Sequence, residues 1–170
     1  MIYGIFVFVL AALVVYMGAH QYNRYLVEQG IHKSTTPADF EAFRFINTEI
    51  SDNKKFLIQL ATTINVVVGT DSGVWIPSFT DKQVEVDFTD FANPKSYEIL
   101  NLYLEVAKDS QDTEALKELY CDYDVGYIFF GSRKSSSDSM QKEELEGNSN
   151  FEKIYDNGAS IFMIKAQECD

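Results

Sequence analysis

The chain has 170 residues, 46% of them hydrophobic and 14% aromatic, which is enough for about one packed domain. Its 26 acidic residues against 14 Lys and Arg give a formal net charge of −12. A surface of that sign repels phosphate backbones and anionic headgroups, which argues against nucleic acid as a partner.

The first element is the apolar run Ile2 to Ala19, with no charged residue and no proline. Roughly 20 apolar residues cross a hydrocarbon core about 30 Å thick, so the run predicts a transmembrane helix. Tyr3 near one end and Tyr16, Tyr22 and Tyr25 near the other suit the headgroup level. A cleaved signal peptide would need a basic start and a small-x-small site, and Met17 at the −3 position fits poorly. A buried helix of a soluble protein fits worse, because the run is apolar on every face. The expected organisation is a transmembrane helix with a juxtamembrane extension over residues 1–29 and an acidic α/β domain over residues 30–170. Arg24 and Lys33 follow the span and nothing basic precedes it, so charge alone would place the domain in the cytoplasm.

Thr36-Pro37-Ala38-Asp39 predicts a helix start: Thr36 caps, Pro37 fits the first turn and Asp39 reaches back. Phe40, Phe43, Ile46 and Ile50 then recur at helical spacing. Phe56 to Leu60 and Asn65 to Val68 predict buried strands, followed by Asp71-Ser72-Gly73 as a turn. Val84, Val86 and Phe88 alternate with Gln83, Glu85 and Asp87, the pattern of a strand with one wet face. Asn93-Pro94 opens a helix with Tyr97, Leu100, Tyr103, Leu104 and Ala107 inward. Asp112-Thr113 opens another with Leu116, Leu119 and Tyr120 inward. Val125 to Phe130 is too apolar for a strand with an exposed face. Ser132 to Lys142 reads as a surface loop. Phe151 to Tyr155 and Ser160 to Lys165 flank Asn157-Gly158 and predict an antiparallel hairpin. The expected fold class is α/β: an N-terminal transmembrane helix, then a layered domain whose mixed sheet is closed by this C-terminal hairpin.

Candidates for chemistry are sparse. Asp122-Tyr123-Asp124 has the D-x-D spacing of divalent-metal sites, but it precedes its strand and reads as a polar turn. Gly69-Thr70-Asp71-Ser72-Gly73 lacks the Gly-Lys-Ser/Thr end of a P-loop and reads as a turn. His20 and His32 have no acidic or thiol cluster around them, and no Ser–His–acid or Cys–His set can be composed. No catalytic residue, metal ligand or cofactor is therefore assigned. Cys121 sits in an apolar helical pattern and reads as a buried thiol, and a bridge to Cys169 requires a domain outside the cytoplasm. Trp75 reads either as a core anchor beside Pro77 or as a platform for a sugar ring or lipid-linked headgroup, with Asp71 accepting from hydroxyls. Asp71, Trp75 and Thr80 are the candidate ligand-binding residues.

Taken in order, the terminal apolar span, Thr36-Pro37-Ala38-Asp39, Trp75-Ile76-Pro77-Ser78-Phe79-Thr80, Val125 to Gly131 and Tyr155-Asp156-Asn157-Gly158 form a recognisable series. It resembles the C-terminal end of polytopic prokaryotic membrane proteins of the GT-C glycosyltransferase type. It is most similar to the group labelled as 6-pyruvoyl-tetrahydropterin synthase-related membrane proteins. The resemblance implies an extracytoplasmic α/β domain beside the last membrane helix of a transferase that uses lipid-phosphate sugars. Where that group often carries Gly-Arg after the tryptophan segment, Asp81-Lys82 stands here. The acidic loop that such enzymes place after their first membrane helix has no counterpart. The implied role is an accessory or C-terminal domain at the cell membrane, not catalytic alone, with the bilayer, a polytopic transferase and a glycan or lipid-linked sugar as partners. The alternative is a single-pass, membrane-tethered binding or structural protein.

Overall fold

The computed structural model describes residues 35–63, 66–86, 94–133, 140–165 and 167–169. The apolar run expected to span a membrane lies outside them. Among the described residues no helix is long and apolar enough to cross a membrane.

Helix α1 covers Pro37–Glu49, and its entry is built as the sequence implies. The Thr36 hydroxyl accepts from the Asp39 amide, the Asp39 carboxylate accepts from the Thr36 amide, and Pro37 occupies the first turn. Strand β1 (Lys55–Leu57) follows, then β2 (Leu60–Thr63) and β3 (Val66–Gly69). A 3-10 turn, Ser72–Trp75, leads into the one-turn helix α2, Ile76–Phe79. Helices α3 (Pro94–Lys108) and α4 (Thr113–Cys121) precede β4 (Val125–Phe130). The short α5 (Lys142–Leu145) and strands β5 (Phe151–Asn157) and β6 (Ala159–Ile164) complete the described elements.

The architecture is α/β with a mixed four-stranded sheet in the order β1-β4-β6-β5. β1 runs parallel to β4, while β6 is antiparallel to both β4 and β5. β2 and β3 form a separate antiparallel pair. All six residues of β4 are buried, which requires cover on both faces. α1 reaches the strand through Phe43, whose ring stacks on Phe129 at 5.9 Å. α4 packs on the same strand, and α3 packs on α4 and on the β2–β3 pair. β5 and β6 turn at Gly158, whose φ of 85° is the left-handed conformation glycine adopts without strain. Asn157 takes no part in that left-handed turn, because Asp124 is the one non-glycine with positive φ among the described residues.

Several expectations are corrected. The run Phe56 to Leu60 is not one strand. Parallel pairing with β4 ends at Leu57, and the Gln59 carbonyl accepts from the Thr70 amide at 2.8 Å, which hands the chain to the second sheet. The expected strand at 83–88 is reduced to a bridge between Val84 and Phe56, and residues from 87 to 93 lie outside the description. Glu85, placed on the wet face of that strand, has its side chain 3% exposed and paired with Lys55 at 2.6 Å and Lys95 at 2.9 Å. On α3 the buried face is Ser96, Ile99, Leu100, Leu102, Tyr103 and Val106, and Leu104 points outward. Tyr103 sets that rotation. Its buried hydroxyl donates to Gln59 Oε1 at 3.1 Å and accepts from the Met140 amide at 2.7 Å. Met140 is thereby core, although it lies in the segment read as a surface loop. Cys121 is not a free thiol: it is bonded to Cys169, which ties the residues after β6 to the end of α4.

Phe129 has no exposed surface and stacks on Phe43. Phe129→Ala is expected to lose about 3–5 kcal/mol of unfolding free energy, read from urea denaturation curves.

Candidate functional site

The segment from Asp71 to Thr80 holds all three candidate ligand-binding residues, and its local chemistry explains its path. Asp71 caps the 3-10 turn by accepting from the Gly73 amide with Oδ1 at 3.0 Å. Its other oxygen, Oδ2, accepts from the Gly131 amide at 2.8 Å, just past the end of β4. The side chain is therefore engaged on both oxygens, and the residue is buried. Ile76, fully buried, anchors the middle of the segment. Trp75 is half-buried and packs against the core. The Thr80 hydroxyl donates to the Ile76 carbonyl at 2.8 Å and accepts from the Lys82 amide at 3.1 Å.

Asp39 enters the same corner from α1. Its Oδ1 accepts from the Ser132 amide at 2.8 Å, and its Oδ2 accepts from the Ser132 hydroxyl at 3.0 Å and the Thr36 amide at 2.7 Å. Two buried carboxylates thus grip two successive residues, Gly131 and Ser132, where β4 ends. Close approach at Gly131 is required: a Cβ there would lie 2.6 Å from Ser72 Oγ and 3.2 Å from Asp71 Cβ. The Ser72 hydroxyl lies near enough to the Asp39 carboxylate to favour its charge, yet no contact there has hydrogen-bond geometry.

The two acids differ in charge state because their surroundings differ. Burial pushes Asp71 up from 3.8 to about 7; amides from Gly131 and Gly73 oppose the rise and the charge of Asp39 adds to it. Burial also acts on Asp39, but its hydrogen bonds with Ser132 and Thr36, helped by the nearby Ser72 hydroxyl, outweigh that and hold its pKa below the usual carboxylate value.

Of the remaining sequence candidates, His20 and His32 lie outside the described residues, and the D-x-D turn is placed elsewhere. Asp122 to Asp124 form the turn between α4 and β4, where Asp124 has a φ of 62° and pairs with Lys54 at 2.8 Å. The Tyr123 hydroxyl donates to Glu98 at 3.0 Å. Lys82 is buried, with its ammonium donating to the Asp52 carbonyl at 2.6 Å. A groove beside the disulfide is lined by five acids, Glu105, Asp112, Glu114, Glu118 and Asp122, together with Lys117 and apolar residues, and it shares no residue with the 71–80 segment. Among the described residues no group of three His, Cys, Asp or Glu side chains is arranged to hold a metal ion.

Sequence reasoning had Asp39 as a capping residue and missed its grip on Ser132. It also missed the bond from Asp71 to Gly131. The available signal was the small residues Gly131 and Ser132 directly after the most apolar strand. No family profile, curated protein or solved structure matches the chain.

Between pH 3.8 and about 7 the folded state keeps a proton on Asp71 that the unfolded chain has released. This contribution to stability is full below that window, is lost as pH rises through it, and levels off above. Its size is on the order of 4 kcal/mol. Asp39 acts with the opposite sign and outside the window: its contribution is present above 3.8 and is lost as pH falls through its lowered folded value. Urea unfolding at several pH values should show the decline, and Asp71→Asn should flatten it whatever its absolute stability. Gly131→Ala should cost about 1–3 kcal/mol in the same assay, because the added methyl must displace Ser72.

Proposed function

We propose that this chain is a membrane-anchored, extracytoplasmic accessory domain of a lipid-linked-sugar transferase of the GT-C type, holding no catalytic group of its own. In this reading residues 1–29 form the transmembrane helix and its extension. Residues 30–170 form the head, whose sheet is closed at one side by the β5–β6 hairpin.

The observation that carries the reading is the Cys121–Cys169 disulfide. Such bonds persist in oxidising compartments and are rare in the reducing cytosol, so the bridge favours a head outside the cytoplasm. It outweighs the two basic residues after the apolar run, which favour the other side. A second support is how the head uses its polar groups. Asp39, Asp71 and Thr80 are engaged by the domain's own backbone, which suits a brace or spacer. The ordered series of segments that resembles the GT-C group supplies the transferase link.

In cells expressing the full chain, protease added from outside should remove the head. Both cysteines should react with a maleimide-polyethylene glycol only after reduction. A head protected from the protease, with both thiols free, would reverse the sidedness. Membranes lacking the chain should lose transfer from lipid-linked sugar and regain it with the full chain. Unchanged transfer would favour the tethered binding or structural protein.

A further inference from the structure

Phe40, Phe79 and Leu104 are the large apolar side chains left exposed among the described residues, and two of them touch. Phe40 is 46% and Phe79 47% exposed, and their rings meet edge to face at 5.1 Å. Phe79 also stacks on the buried Phe43 at 5.6 Å, nearly parallel to it. Asn47 Nδ2 donates to the Phe79 carbonyl at 3.0 Å, which fixes α2 against α1. Pro77 and Ser78, beside Phe79, are exposed as well. The two rings form a ridge that is rigid beneath and bare above. Burying it would gain free energy that the fold leaves unused.

The position of the ridge points to what covers it. Phe40 lies one helical turn after Thr36, the cap of the first described helix. The apolar run ends at Ala19, so only residues 20–34 separate it from this helix. Fully extended, that stretch spans at most about 50 Å, which keeps the ridge within reach of the bilayer holding the run. Phenylalanine suits the boundary between headgroups and acyl chains. A net charge of −12 disfavours an anionic leaflet, while zwitterionic headgroups impose no such repulsion. Arg44, exposed and one turn further along α1 than Phe40, lies on the same helix face and has the length to reach lipid phosphate.

We propose that the Phe40–Phe79 ridge inserts into the acyl boundary of a zwitterionic leaflet and seats the head on the membrane surface. The proposal rests on the membrane-anchored reading and adds an orientation to it. Its test uses the full chain in phosphatidylcholine vesicles. The sole native tryptophan is replaced (Trp75→Phe) and a reporter is placed by Phe79→Trp, with Phe40→Trp as an independent second reporter. Emission in vesicles with brominated acyl chains should fall below that in ordinary vesicles. Equal emission in the two lipids overturns the proposal, whether acrylamide quenches the reporter, which places it in water, or does not, which places it under protein. Flotation with the vesicles is read separately. A chain that fails to float overturns the anchored reading and the ridge with it, whereas a chain that floats with an unquenched reporter overturns the ridge alone.

Discussion

Two carboxyl groups, both shut away from water, hold consecutive residues at the end of one strand, and the rest of the domain is arranged around that grip. Asp71 brings the 3-10 turn to Gly131, and Asp39 brings the start of α1 to Ser132. The buried strand β4 is thereby joined to a helix and to a turn that are far from it in sequence. Such a network is costly when a partner is missing, because a buried polar group left unpaired has no water to turn to. It is also unequal. Two negative charges packed together in a dry corner repel, and the corner meets this by keeping Asp39 ionised and raising the pKa of Asp71.

This constraint gives the 71–80 segment its character. Its carboxylate, its buried isoleucine and its threonine are each turned toward the protein, while Phe79 stacks on Phe43 and leaves about half of its surface exposed. The segment behaves as a brace whose outer edge is aromatic. In the proposed accessory role such a part keeps one surface in a fixed place relative to the sheet. The disulfide adds a second tie at the far end of α4, where Cys169 fastens the residues after β6.

Much of the fold could be read from local chemistry. The capping box at Thr36, the cap at Asp112 and the wholly apolar β4 are short-range signals, and each stands where the sequence places it. What failed depends on contacts distant in sequence. Phe40 fits the inward stripe of α1 by spacing, but Asp39 turns inward to reach Ser132 and Phe40 is left outside. Leu104 fits the stripe of α3, but the buried hydroxyl of Tyr103 selects a neighbouring face. Glu85 looks wet by alternation and is enclosed because two lysines come to it from β1 and α3. At the candidate site the turn after Asp71 was legible. Its inward orientation was not, since nothing local announces that Asp71 meets Gly131.

Among the described residues the outer strand β5 pairs with one neighbour, β6. Its register with β6 shifts between Lys153 and Tyr155. Lys153 itself is held by Glu146 at 2.9 Å and Asp156 at 2.8 Å. An irregular border studded with ions is a poor template for strand addition. Under the proposed membrane anchoring, copies would collide often and in similar orientations, and that border would discourage the sheets from zipping into one another and favour heads that remain individually folded at high density.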